Sequence, residues 1–372
     1  MVKDKGTVLY VGGFELPDKN AAAHRVLSNA KIFKELGYNV IFCGIDKEKS
    51  DSKIEEHYGF KSIPIKYPNS LLNWLKYIVD AKKYFQLLEE NKDVRLVVCY
   101  NLLAIPLAKL LLYCKKRNIK IVADCTEWYE NRFSLHPVKF IKFLNTIFAM
   151  RVFQKKCDGM IAISSFLKNY YKKYISNIIV LPPLVDITDK KYEHFEDKPL
   201  CDAVSLVYCG SPTLKKEALG DVVSALGKIE DINYSFTVVG VTKEQFEKTY
   251  TVKINNNKID FTGRIPHIRA LDIVKNNDYS VIIRPCTRVT NAGFPTKFVE
   301  SITCGTAVIA SETSDIVSYF NNGHNGHLVD INNLENDFRR VLVAPKPFVE
   351  HDKFDYRSYK GIFSDFLTSL GL

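Results

Sequence analysis

Cys-x-x-Cys pairs are absent, although the chain carries nine cysteines, an odd number. That argues against a disulfide framework and a zinc ribbon, and for a reducing compartment. An unbroken apolar run long enough to span a bilayer is also lacking. The most apolar window, LVVCYNLLAIPLAKLLLYC, is interrupted by Asn101, Pro106 and Lys109, so it reads as strand, loop and helix. The start, MVKDKGTVLYVGGF, runs directly into a strand without a secretory leader, and a cytoplasmic protein is expected. No GxGxxG fingerprint, internal repeat or low-complexity segment is present.

What remains is a chain of 372 residues, 46% apolar, with a formal net charge of +10. That length exceeds one typical core and predicts two domains. The first half alternates strands and helices: TVLYVGG, AAAHRVLSNAKIFKELG, YNVIFCGI, VRLVVCY, AIPLAKLLLYCKKR, IKIVADC, DGMIAIS. The alternation restarts after residue 203 with VSLVYCGS, KKEALGDVVSALGKI, YSFTVVGV and IDFTGRI. Each half predicts a parallel sheet covered by helices. The expected division is 1–182, a Pro-rich charged linker over 183–203, a second domain over 204–345, and a tail over 346–372 ending in a helix. Ligands of such sheets sit at the carboxyl ends of the strands, here expected to face a cleft between the domains.

The charge is uneven. From Asn131 to Tyr174 there are nine basic residues (Arg132, Lys139, Lys142, Arg151, Lys155, Lys156, Lys168, Lys172, Lys173) against one acid, Asp158, interleaved with aromatics such as Phe133, Phe140, Phe143 and Phe148. Basic, aromatic helices suit an anionic membrane surface. No nucleic-acid motif accompanies them, so nucleic acid is not expected as a partner. The plain alternative is a helix with a solvated basic face.

The stretch NAGFPTKFVESITCGTAVIAS (Asn291–Ser311) holds a lysine where a lysine is unfavourable. Lys297 falls in the first turn of a predicted helix, the end carrying partial positive charge and unpaired N–H groups. A bound phosphate would turn that cost into a clamp. Glu300, three residues on, is suited to accept hydrogen bonds from sugar hydroxyls. Phosphate on one side chain and ribose on the next describe a nucleotide. Gly12 and Gly13 follow the first strand, where glycine lets backbone approach a phosphate or merely makes the turn. Gly210 and Ser211 end the first strand of the second half, with Lys215 and Lys216 expected at the start of the next helix. Arg284 closes the strand before the Asn291–Ser311 unit and joins the donor-side candidates.

GFPTKFVESITCGTAVIAS followed by NNGHNGHLV resembles the donor-binding motif of retaining GT-B glycosyltransferases of family 4 (glycosyl transferases group 1). AAAHRVLSNAKIFKELGYNVIF, CDGMIAISSFLKNYY and GSPTLKKE are similar to further segments of that family. The resemblance implies an α/β GT-B protein with two doubly wound Rossmann-like domains, an interdomain cleft and a C-terminal helix. It implies a UDP- or GDP-sugar donor, a glycan or lipid-linked acceptor, and no cofactor or metal; Asp-x-Asp, the metal-binding triplet of the other common glycosyltransferase fold, is absent. Carried over by position, Glu300 is expected on the ribose, Lys216 and Lys297 on the diphosphate, and Gly293–Phe294 beside the donor. Gly263–Arg264–Ile265 is expected against the base. Ala292 stands where the motif has its first glutamate, and Ser211 where it has an arginine. The family's N-domain histidine has no counterpart in ADCTEWYEN, so Asp124 or Glu127 is expected to assist the acceptor, with Lys216 supporting the leaving group. The expected activity is sugar transfer in surface polysaccharide or glycoconjugate biosynthesis, at the inner face of the cell membrane. Two competitors stand beside it: a non-catalytic partner that keeps the fold, and a nucleotide-sugar epimerase.

Overall fold

The computed structural model describes residues 4–17, 19–48, 54–130, 133–193, 203–211, 216–320 and 323–372. Lys215, Arg132 and residues 194–202 of the expected linker lie outside them. The chain divides into two compact units, Met1–Leu184 with Tyr356–Leu372, and Val185–Asp355.

The first unit is built on strands β1 (Thr7–Gly12), β2 (Asn39–Cys43), β3 (Ile45–Asp46), β4 (Glu55–His57), β5 (Phe60–Ser62), β6 (Ile65–Lys66), β7 (Val94–Tyr100), β8 (Lys120–Cys125), β9 (Gly159–Ala162) and β10 (Asn177–Val180). Eight of them form one sheet in the order β10-β9-β8-β7-β1-β2-β5-β4, and β3 pairs with β6 apart from it. Neighbours run parallel apart from β4 against β5. β1 is laid first, β2 adds on one side and β7 on the other, so the winding reverses between β1 and β7. All six residues of β1 are buried, as a strand covered on both faces requires.

Its helices are α1 (Ala21–Glu35), α2 (Leu71–Tyr77), α3 (Lys82–Glu90), α4 (Ala104–Arg117), α5 (Pro137–Phe148) and α6 (Ser165–Tyr171). The Asn20 side chain caps α1 by accepting from the Ala23 N–H, satisfying a donor the helix leaves open. The C-terminal tail, which sequence reading set apart as 346–372, packs with this unit from Tyr356 on. Phe363, Phe366 and Leu370 join Phe33, Val122 and Ile161 in its core. A Cβ at Gly159 would sit 3.0 Å from the Phe366 ring, so a larger residue in β9 would press on the tail.

The second unit has β11 (Val204–Cys209), β12 (Tyr234–Val239), β13 (Ile259–Gly263), β14 (Tyr279–Ile282), β15 (Ala307–Ser311) and β16 (Gly326–Val329), all parallel in the order β13-β12-β11-β14-β15-β16. Its helices are α7 (Leu219–Gly227), α8 (Lys243–Tyr250), α9 (His267–Lys275), α10 (Arg288–Ala292), α11 (Thr296–Thr303) and α12 (Leu334–Leu342); the tail supplies α13 (Lys360–Ser369) to the first unit. Here the winding reverses between β11 and β14.

Three local expectations change. TRVTNAG is not a plain loop: Thr287 and Thr290 form a reciprocal capping box that starts α10. Lys216 is not in the first turn of a helix, because α7 begins only at Leu219. The described part of the linker is not free chain either; Tyr192 is buried against Val207, Val239 and Leu271 of the second unit.

Candidate functional site

The carboxyl ends of β11 and β14 carry most of the residues singled out for a nucleotide. Gly210 leaves β11 at φ +143°, and its neighbour Gly240, after β12, could not hold a Cβ because it would meet the Gly210 carbonyl at 2.2 Å. The two glycines let adjacent strand ends pack backbone to backbone. Ser211 follows, exposed.

From the β14 side come Arg284, α10, the Gly293–Phe294 turn and α11. Arg284 is buried; its backbone N–H donates to the Ser311 hydroxyl at 2.7 Å, and its Nε donates to the Lys216 carbonyl at 3.3 Å. It therefore positions the Lys216 backbone. The Gly293 carbonyl accepts from the Ser314 hydroxyl, and the Ser314 N–H donates to the Asn291 side chain at 2.9 Å. The turn is thus tied to the end of β15. The Phe294 ring is buried among Phe298, Tyr319 and Phe354, so only its backbone is available to a ligand. Ala292 is fully buried, and no side chain there faces a sugar.

α11 starts without a side-chain cap after Pro295, leaving backbone N–H groups directed outward from its first turn. Lys297, in that turn, reaches back toward β11. Its Nζ donates to Glu217 Oε2 at 2.7 Å and lies 4.1 Å from the centre of the Tyr208 ring. A Cβ on Gly210 would stand 3.2 Å from the same ammonium, so glycine keeps the approach open. Burial holds the Lys297 ammonium below its ordinary value, with Glu217 acting in the opposite direction. Glu217 also accepts the Tyr208 hydroxyl hydrogen.

Glu300, one turn further on, points to the β13 side. Its Oε1 lies 3.0 Å from His267 Nε2, at the first residue of α9. Arg264 is exposed and Ile265 half-buried in the turn just before it. Lys297, Gly210, Glu300 and the 263–265 turn are therefore brought to one edge of the sheet, around the strand reversal where open α/β sheets bind ligands. Sequence reasoning missed Glu217 and His267. The first could have been found as the acid directly after Lys216, the second as the helix-opening residue after the 263–265 turn.

In the first unit the same edge is different. Gly12, at φ +143°, could not take a Cβ, which would meet the Tyr100 carbonyl at 2.1 Å, whereas Gly13 faces open space. Asp124 is corrected as a catalytic candidate. It is fully buried; Oδ1 pairs with Arg25 at 2.8 Å, and Oδ2 accepts the Tyr10 hydroxyl at 2.5 Å. A carboxylate committed on both oxygens inside the core does not reach an acceptor. Glu127 is half-buried just past β8 and remains at the edge. A cavity of about 430 Å³ opens there, lined by Gly13, Asn101, Tyr129, Trp74, Lys142 and Asn145, among others. Aromatic faces beside amide and ammonium donors suit a sugar ring. Among the described residues, no group of three or more His, Cys, Asp or Glu is placed to hold a metal.

Residues 206–345 match the family model described as Glycosyl transferases group 1. A comparison with curated proteins gives no match. Among solved structures the chain is similar to sucrose-phosphate synthase from Thermosynechococcus elongatus (TM-score 0.68, 16% identity, 98% of this chain and 99% of that one). It is also similar to the lipopolysaccharide outer core galactosyltransferase WaaB (TM-score 0.64, 16% identity, 98% and 99%). A third is HepE from Anabaena in complex with UDP and glucose (TM-score 0.65, 14% identity, 98% and 100%). At these identities the likeness concerns the fold, which is GT-B. The domain match and the fold together support a glycosyltransferase.

Proposed function

We propose that the protein is a retaining, nucleotide-sugar-dependent glycosyltransferase of family 4 that needs no metal and extends a surface polysaccharide or another glycoconjugate. The observation that carries this is the convergence of Lys297, the uncapped start of α11, Gly210 and Glu300 at the strand reversal of the second unit. Departure of the leaving group puts negative charge on a diphosphate. Lys297, Lys216 and the α11 N–H groups stabilise that charge. UDP is the first donor base to test, because the structurally similar HepE is described with UDP and with UDP-glucose. Attack from the face the diphosphate leaves accounts for retention without a protein nucleophile, with Glu127 orienting the acceptor hydroxyl.

Glu300→Gln is expected to weaken nucleotide binding by about 10- to 100-fold, the range for losing a hydrogen bond to a charged acceptor. Calorimetry on the folded variant checks it; an unchanged Kd for the nucleoside diphosphate removes the ribose role. Transfer should persist in EDTA, because lysine and helix N–H groups replace a cation at the diphosphate. Loss of activity in chelator, restored by Mn²⁺, would contradict this.

Membrane association at the inner face of the cell membrane belongs to the same reading. No helix among the described residues is long and apolar enough to cross a membrane. α5 has no buried residue; Phe148 at its end is exposed, as are Phe133 and Leu135 just before it. Four basic residues at an anionic surface would contribute on the order of 4 kcal/mol. Co-sedimentation with anionic vesicles is expected to fade with salt, and to fall in a Lys139/Lys142/Arg151/Lys155 charge-reversal variant. Equal binding by both proteins leaves only a solvated face.

The competing reading, a non-catalytic partner, draws on Ala292 and Ser211. It is separated by donor turnover: binding of UDP with neither transfer nor donor hydrolysis would favour it.

A further inference from the structure

α11 opens to the outside along one short line. Of its eight residues, Phe298, Val299, Ser301, Ile302 and Thr303 are buried, and Thr296, Lys297 and Glu300 are not. Positions 296, 297 and 300 share one side of a helix. The two charges of this line flank the end of β11. Burial pushes the Cys209 thiol there up to about 11, with the Glu300 carboxylate adding to the rise and the Lys297 ammonium opposing it. Lys297 is held by Glu217. Glu300 is held from another helix, by His267.

His267 takes its place from the backbone before it. Gly263 closes β13 at φ +68°; its N–H donates to the Val241 carbonyl at 3.2 Å, and its carbonyl accepts from the Gly240 N–H at 2.9 Å. Gly240 in turn packs on the Gly210 backbone. Main-chain hydrogen bonds thus tie the 263–265 turn to the strand ends of the candidate site, and α9 starts just past it, at His267. Ala270, Leu271 and Val274, three, four and seven residues on, are buried in one cluster with Val207, Val239 and Cys304. Cys304 lies four residues after Glu300. His267 and Glu300 therefore continue, at the open rim, the seam along which α9 and α11 pack.

A carboxylate accepts and does not donate, so His267 Nε2 supplies the hydrogen to Glu300 Oε1 at 3.0 Å. One oxygen of Glu300 is then committed and the group is fixed in orientation. The pair stays within reach of a ligand, its side chains being 42% and 25% exposed. A pair this open adds little to stability. It does remove the freedom of rotation that a lone glutamate keeps, at the position expected to meet the ribose. We propose that His267 is a positioning residue for the donor's ribose: it holds Glu300 so that Oε2 is left to accept from the 2′- and 3′-hydroxyls. It also links that carboxylate to the 263–265 turn expected against the base. This rests on the nucleotide-sugar reading and deepens its donor site.

Calorimetry on the full chain tests this with UDP (or GDP, if wild type binds that instead), the 2′,3′-dideoxy form of the same nucleotide, and inorganic pyrophosphate. His267→Ala is expected to weaken the ribonucleotide about three- to tenfold, the range for one hydrogen bond, and to leave the other two probes within about twofold. His267→Gln, whose amide can donate in place of Nε2, should recover most of the loss. In a Glu300→Ala background His267→Ala should cost nothing further, because the histidine acts through the carboxylate. A merely structural contact in the seam would weaken the ribo and dideoxy forms alike and would not be rescued by glutamine. Unchanged ribonucleotide affinity in His267→Ala, equal losses for the two forms, or additivity with Glu300→Ala overturns the inference and leaves the donor reading standing. If wild type binds neither UDP nor GDP, the donor reading itself fails, and this inference with it.

Discussion

Lys297→Ala is expected to lower kcat/KM for the nucleotide-sugar donor about 10²- to 10³-fold, the cost of removing one preorganised group from a developing oxyanion. The same variant should lose affinity for the nucleoside diphosphate. Lys297 is well placed for this because it is held before the donor arrives: Glu217 sits 2.7 Å from its ammonium, and the Tyr208 ring lies beneath it. The pH dependence follows from the shift and its sign. A diphosphate binds the ammonium form. Burial holds that lysine below its ordinary 10.5, so affinity should fall as pH rises, earlier than for an exposed lysine. Glu217→Gln removes the charge that opposes the downward shift, and the fall should then begin at still lower pH. Titrations at several pH values check both statements; identical profiles for wild type and Glu217→Gln would separate the carboxylate from the lysine's protonation.

Arg25→Leu should destabilise the first unit by about 3–5 kcal/mol, the range for removing one partner of a buried ion pair. Arg25 is 3% exposed and Asp124 0%. Arg25 also donates to the Leu181 carbonyl at 3.0 Å, tying α1 to the segment that follows β10. Its loss leaves the Asp124 charge enclosed without its cation and frees that carbonyl. Replacing both members, Arg25→Leu with Asp124→Leu, should recover much of the loss, since no uncompensated charge remains. Chemical denaturation of the two variants measures this. A single variant as stable as wild type would mean that water reaches the pair.

The alternation of apolar runs with amphipathic ones carried the two parallel sheets, because period and turn chemistry are local. Lys297 was singled out for a related reason, since a lysine in a helix's first turn contradicts the local dipole; the structure sets it against Glu217, and Glu300 against His267. What sequence could not carry lies in partners far apart along the chain. Glu217 and Lys297 are 80 residues apart and Arg25 and Asp124 are 99. No local pattern reports that the first pair sits at a strand reversal or that the second sits in the core. That is why Asp124 read as an acid available to an acceptor. α10 was missed because its start depends on two threonine side chains bonding reciprocally across one turn, which competes evenly with a loop.

The most direct test of the central claim is a calorimetric titration of UDP and GDP, with UDP-glucose and a GDP-sugar alongside, into wild type and Lys297→Ala. The account expects saturable one-to-one binding of one base in wild type, unaffected by EDTA and lost in Lys297→Ala. No saturable binding to wild type, or equal affinity in the two proteins, would contradict it.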